Sequence, residues 1–135
     1  MFSSDALEFG RIYTRDDLRK RFNISDMTLN TGIFVPSGHK SVWIFITEKK
    51  SNDMTDYRDS LHGNRLEWDG QTSGRKDQRI IEHERNAFEI LVFYRKSKSE
   101  YNELGHPYGF KLEGRFRYRS SIGSHPTHFV LDRAE

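Results

Sequence analysis

The spacing of apolar and polar positions changes near residue 30. Ahead of it, apolar residues from Thr14 to about Phe22 recur at helical spacing. Thr14 supplies a polar cap, and Asp16 and Asp17 place carboxylates in the first turn, where unpaired N–H groups favour negative charge, so a helix is predicted there. Ser25 and Asp26 set up a second, shorter helical turn over 25–29. Together they make an N-terminal helix pair that is open to a helix-turn-helix reading, although nothing supplies the third helix such a motif packs on.

Beyond residue 30 the period becomes that of strands. Residues 41–47 (SVWIFIT) form a β-branched and aromatic run too apolar for an exposed strand, so this strand is expected to be central. Residues 64–69, 89–94, 110–120 and 128–132 read as further strands, separated by loops rich in Gly or Ser. Residues 110–120 alternate strictly, with Phe110, Leu112, Gly114, Phe116 and Tyr118 on one face and Lys111, Glu113, Arg115, Arg117 and Arg119 on the other. Residues 78–85 (QRIIEHER) fit either a short helix or a strand. The expected fold is α+β, mainly β: a small, twisted, partly closed pseudo-barrel of about six strands with an N-terminal helix pair. Residues 1–10 read as a flexible tail and 11–135 as one domain.

Composition narrows the function classes. The 135 residues suit one domain and leave no room for a catalytic domain beside a second module. Hydrophobic residues reach only 34% and charged residues 31%, but 13% are aromatic, which separates the chain from aromatic-poor disordered sequences. No run of about 18 apolar residues predicts a membrane span, and no charged-then-apolar leader opens the chain. Without cysteine, disulfides, thiolate catalysis and Cys-ligated zinc are excluded. This composition is compatible with a soluble, reducing compartment such as the cytoplasm.

Net charge is only +2, from 22 Lys and Arg against 20 Asp and Glu, so bulk electrostatics do not make a general polyanion binder. Its distribution is uneven. Between Arg95 and Arg119 seven basic residues (Arg95, Lys96, Lys98, Lys111, Arg115, Arg117, Arg119) face three acidic ones (Glu100, Glu103, Glu113), a local balance of +4. Such an excess suits a surface that follows phosphates, and equally a solvated strand face and loop.

The loop after Trp68 and Asp69 carries the most distinctive chemistry. Gly70, Gln71, Thr72, Ser73 and Gly74 precede Arg75 and Lys76. A Trp offers a stacking surface, an Asp accepts from an exocyclic amine, a Gln pairs with a base edge in both directions, and Arg and Lys hold phosphate. The plainer alternative is a hairpin connection with Trp68 in the core. The glycines match neither a Walker nor a dinucleotide fingerprint, so no nucleotide cofactor is expected. Ser37, His39 and Lys40, in the loop before the apolar strand, are further candidates for backbone contact. So are Lys96 and Lys98, in a 95–109 loop that also holds Tyr101, His106 and Tyr108.

Catalytic constellations are thin. Glu48-Lys49-Lys50 at the end of an apolar strand looks like half of a magnesium-dependent nuclease site, with Glu48 as metal ligand and Lys50 polarising water, but its acidic partner is missing unless Asp26 serves. His125 and His128 have H-x-x-H spacing on a turn entering a strand, where they would diverge, so no metal is expected. His83 and His106 have no neighbour that would make a nucleophile pair.

The segments LNTGIFVPSGHKSVWIFITEKK, TDYRDSLHGNRLEWDGQTSGRKDQRIIEH, EILVFYRKSK, GFKLEGRFRYRS and SHPTHFVLDR resemble the specificity domains of bacterial restriction endonucleases and restriction helicases, SRA-like and related PUA-superfamily readers of modified DNA. The likeness runs from about Glu8 onward and rests on overall phrasing rather than on one motif. It implies a pseudo-barrel without chemistry of its own, binding double-stranded DNA, modified or unmodified, beside a fused or associated nuclease or helicase. In such readers aromatics sandwich a flipped cytosine and an Asp meets its pairing edge. By residue type the resemblance offers Tyr57, Trp68 and Tyr108 as walls, Asp69 as acceptor and Gln71 as a further base contact. Neighbouring possibilities are a B3-like reader of unmodified sequence and a phosphorothioate reader with an apolar patch near Pro107 or Pro126.

Overall fold

The computed structural model describes residues 2–26, 29, 32–47, 60–71, 73–95 and 109–134. In chain order the elements are β1 (Ile12–Tyr13), α1 (Arg15–Phe22), β2 (Ile33–Phe34), β3 (Ser41–Thr47), β4 (Ser60–His62), β5 (Arg65–Asp69), α2 (Asp77–Ile81), β6 (Glu89–Arg95), β7 (Phe110–Ile122) and β8 (His128–Arg133). The protein is mainly β, as the period-2 patterning predicts. Among the described residues eight strands form one mixed sheet in the order β2-β3-β6-β7-β8-β5-β4, with β1 added beside β7.

The sheet is open, which corrects the pseudo-barrel expectation. β2 and β4 form its two edges and are only two and three residues long, too short to carry the ladder that closure requires. The short strands β1, β2 and β4 also account for eight strands where about six were expected. At the centre β3 and β6 run parallel in register from Ser41↔Glu89 to Thr47↔Arg95. Both are buried on both faces, which is why each reads as an unbroken apolar run.

The two faces of this pair organise two cores. On one, Val42, Ile44 and Ile46 of β3 and Ile90, Val92 and Tyr94 of β6 join Trp68, Phe116, Phe129, Leu131 and Ile80 of α2. On the other, Trp43 and Phe45 with Leu91 and Phe93 pack under Tyr13, Leu18 and Leu29. α1 covers the second face through Leu18. It begins in a reciprocal cap, Thr14 Oγ1 accepting from the Asp17 amide at 3.0 Å and Asp17 Oδ2 from the Thr14 amide at 2.8 Å. It ends at Asn23, whose left-handed φ of 54° turns the chain away. Of the second expected turn, Met27 and Thr28 lie outside the described residues, and Leu29 donates to the Asp26 carbonyl at 3.4 Å. Residues 78–85 begin as helix, ending α2 at Ile81, and continue as turns.

Burial alternates from Phe110 to Arg117 as the sequence predicts, but the inward residues do not share one face. Val92 pairs with Gly114 and Phe93 with Leu112, leaving Glu113 as an extra residue on β7. Phe110 and Leu112 therefore join the α1 core, whereas Phe116 joins the other. Gly114 has φ +128°, a conformation L side chains rarely adopt, so the bulge needs glycine. A second register shift passes Arg119 between Tyr118 and Ser120. No single cationic face runs along β7.

Within the first ten residues a short segment packs on the sheet. Ser3–Ala6 form a 3-10 turn, and Ser3 and Ser4 are buried. Glu89, at the start of β6, holds them: its carboxylate accepts from the Ser4 amide (3.1 Å), Ser4 Oγ (2.6 Å), Ser41 Oγ (2.5 Å) and Arg115 Nε (2.9 Å). Burial alone would raise the Glu89 pKa, but these donors outweigh it and hold the carboxyl below its ordinary 4.5. Because the folded value is the lower one, the stabilisation is complete above pH 4.5 and is lost as pH falls through the depressed folded value.

Two outcomes follow for stability. Gly114→Ala lowers unfolding free energy by about 1–3 kcal/mol in urea titration, because the bulge must hold a non-glycine residue in a disfavoured region. Glu89→Ala, which strands the Arg115 guanidinium and the serine donors, costs about 3–5 kcal/mol near neutral pH. It also shrinks the acid-side loss of stability seen when wild-type denaturation midpoints are followed downward through pH 4.5.

Candidate nucleic-acid interface

Strand directions sort the loops onto two ends of the sheet. β3 and β6 start together at Ser41 and Glu89. β7 is antiparallel to β6 and runs past Phe116, opposite Ile90, towards Ile122. His128, which opens β8, faces both Ile122 and Asp69, the last residue of β5. β2 is antiparallel to β3, with Phe34 against Trp43, and so ends towards the same side. The connections 35–40, 70–76, 82–88 and 123–127 therefore share one end, called here the loop end. Thr47, Arg95 and Phe110 lie at the opposite end.

Candidate residues divide accordingly. Ser37, His39, Lys40, Asp69, Gln71, Arg75 and Lys76 all lie at the loop end, beside strands separated by β6, β7 and β8. Ser37, Lys40 and Arg75 are exposed, and Gln71 and His39 partly so. Lys76 reaches across to the β2 side, its Nζ donating to the Ile33 carbonyl at 2.9 Å. Burial lowers the Lys76 pKa, opposed by the charge of Asp26. Arg95 is at the other end, 6% exposed, with its guanidinium 4.0 Å from the Phe110 ring centroid and its Nε on Thr47 Oγ1 at 2.8 Å. Tyr57, Tyr108, Lys96 and Lys98, and the nuclease candidates Glu48 and Lys50, lie outside the described residues.

Trp68 is not a wall for a base. It is 4% exposed and stacks on Phe129 with centroids 5.6 Å apart and planes 22° from parallel. The alternation of β5 turns Leu66 and Trp68 inward, as expected for a strand with one face on a core. Gly70 serves this packing as well: a Cβ there would come within 2.8 Å of Phe129 Cε2. Asp69 faces His128, Oδ1 to Nδ1 at 2.7 Å, while Glu67 Oε1 meets Nε2 at 3.1 Å. His128 is thus clasped between two carboxylates of the neighbouring strand β5. Burial on its own would lower the His128 pKa, but hydrogen bonds and charges from Asp69 and Glu67 outweigh it and raise the value above 6.5.

The β7 arginines differ in availability. Arg115 belongs to the Glu89 network and also donates to Ser4 Oγ at 2.7 Å. It cannot leave without stranding a buried carboxylate. Arg117 pairs with Glu84 at 3.5 Å and Arg119 with Asp132 at 2.9 Å, all on exposed or half-exposed side chains. Exposed pairs of this kind contribute about 0–1 kcal/mol, so a phosphate can displace either acid cheaply.

Beside the loop end the structure forms a cleft of about 210 Å³ that the sequence reading missed. Phe22, Phe34, Pro36 and His39 supply its ring-bearing walls, and Asn23, Ser25, Asp26 and Ser37 its polar groups, with Ile24 completing it. Phe22 meets His39 edge-on at 5.4 Å and Trp43 at 5.2 Å, so the wall is braced by the core. The buried Trp43 Nε1 has no hydrogen-bond partner among the described residues. One sequence signal lies here, the polar loop from Pro36 to Lys40; the left-handed cap at Asn23 is visible only in the structure.

No protein-family model matches the chain, and a search of curated proteins returns no match.

The histidine clasp has a pH signature. Since the folded pKa of His128 is raised, its contribution is complete below pH 6.5 and is lost as pH rises through the folded value. Denaturation midpoints are therefore expected to decline on the alkaline side of pH 6.5 for the wild type. His128→Asn removes that decline while leaving the acid-side loss governed by Glu89 in place.

Proposed function

We propose that this domain is a DNA-binding specificity module of a bacterial restriction system, reading a specific or modified base in double-stranded DNA while an associated nuclease or helicase performs the chemistry. The observation that carries the proposal is the assembly of the loop end. Two loops more than thirty residues apart, one with Ser37, His39 and Lys40 and the other with Gln71, Arg75 and Lys76, lie at the same end of the sheet, and Lys76 Nζ reaches the Ile33 carbonyl of β2. Arg79, exposed on α2, adds a further cation close in sequence. Cations and hydrogen-bonding side chains converging from separate loops suit a phosphate backbone approached from one direction.

Arg117 and Arg119 extend the same surface along β7, held only by exposed acids. Arg95 and Arg115 are assigned to the fold and leave the list of backbone contacts. The resemblance to SRA-like and PUA-superfamily readers points the same way. The open sheet departs from the barrel that the resemblance implies, so support rests on the loop end.

Salt dependence tests the proposal. Duplex binding by the whole chain weakens linearly in log affinity against log salt, and each phosphate contact removed lowers the slope by about 0.9. Lys40→Gln and Arg75→Gln each remove about that much, whereas Lys111→Gln, towards the opposite end of β7, leaves the slope unchanged. Absence of duplex binding at low salt, where nonspecific contacts alone suffice, would refute the proposal.

A further inference from the structure

One acid on the outward face of the sheet is surrounded by three cations. We infer that the surface around Asp132 on β8 is a phosphate-binding site built by Arg65, Arg117 and Arg119, and that Asp132 holds the place a phosphodiester group takes when duplex binds. The inference rests on the DNA-binding reading above and deepens it by naming a site on the sheet itself and the group that competes for it.

Strand register brings these residues together. Arg65 of β5 lies opposite Asp132, and Asp132 lies opposite Arg117 of β7. Their neighbours Leu66, Leu131 and Phe116 enter the core, so alternation turns this row outward. The register shift on β7 adds Arg119 beside it, between Tyr118 and Ser120. One carboxylate is therefore shared by the strands on its two sides: Asp132 Oδ2 meets Arg119 Nη1 at 2.9 Å, and Oδ1 lies 3.8 Å from Arg65 Nε. Arg117 directs its Nε to Glu84 at 3.5 Å.

Two oxygens of one anion divided between two guanidiniums is also how arginines take a phosphate. Exposure separates this group from an arginine that serves the fold. The Arg65, Arg117 and Arg119 side chains are 53%, 62% and 54% exposed, against 26% for Arg115. Pairs this exposed are weak, so an entering phosphate displaces the acids at little cost. Glu67, on the same face of β5, is engaged by His128 at 3.1 Å, which draws its charge away from the row. Position fits as well. Arg65 and Arg117 stand four and five residues before the ends of β5 and β7, about 15 Å from the loop end. That is less than half of a duplex turn of about 34 Å, so one duplex reaches both.

Fluorescence anisotropy of the whole chain with a labelled duplex, repeated over a salt series, tests the site. Asp132→Asn, an isosteric change at a partly exposed position, is expected to tighten binding about fivefold at low salt, because the pairs to Arg65 and Arg119 no longer have to be broken. Asp16→Asn is the matched control. It also removes one exposed partner of an arginine, Arg19 at 2.8 Å, but on α1, whose Arg15 stacks on Phe110 at the opposite end, and it is expected to give no such gain. Arg65→Gln lowers the salt slope by about 0.9 and cancels the gain when combined with Asp132→Asn. Binding by the Asp132→Asn chain no tighter than by the wild type or by Asp16→Asn would overturn the inference. So would a glutamate-rich peptide that binds Asp132→Asn as tightly as duplex does, which would assign the face to a protein partner. If Lys40→Gln and Arg75→Gln still lower the slope in those cases, the DNA-binding reading stands without this site. If no duplex binds at low salt, both fall.

Discussion

The structure depends on one buried carboxylate. Glu89 opens the central strand β6, and its donors come from the N-terminal turn, from β3 and from β7. Taking a carboxylate out of water is costly, and the arrangement is stable only because Ser4, Ser41 and Arg115 satisfy it together. This requirement orders residues 3–6 against the sheet and fixes the parallel register at Ser41↔Glu89. It also commits Arg115 to the interior. Everything at the loop end is built outward from this point.

The second constraint is the bulge at Glu113 and Gly114. Its extra residue exchanges the two faces of β7, so that one strand supplies Phe110 and Leu112 to the α1 core and Phe116 to the other. A straight β7 would expose part of one core and present the unbroken row of cations that the alternation suggests. The twist added by a bulge also suits a sheet on which the Phe116 core must reach from β2 to β5 without closing. Charge on β7 is consequently divided between the fold, at Arg115, and the surface, at Arg117 and Arg119.

The legible parts of the sequence were those governed by short-range physics. The cap at Thr14 and Asp17, the doubly buried β3 and β6, and the mainly β character all follow from local spacing and side-chain type. Less legible were features set by partners far along the chain. The polar neighbours of Trp68 leave core and base-stacking both open, and Phe129, sixty-one residues later, decides for the core by taking its face. Gly70 reads as part of a polar loop and is a clearance for that same ring. Ser4 carries no signal until Glu89, eighty-five residues away, is placed beside it. The cleft was half legible: the 36–40 loop was chosen for its polarity, while Phe22 and Phe34 read only as apolar positions in regular elements.

The central claim is that DNA meets the loop end. Hydrogen exchange of the whole chain with and without duplex tests it most directly, because each loop reports separately. The account predicts slowed exchange in residues 35–40, 70–76 and 123–127, with β3 and β6 unchanged. Slowing confined to the opposite end, around Thr47, Arg95 and Phe110, would contradict it.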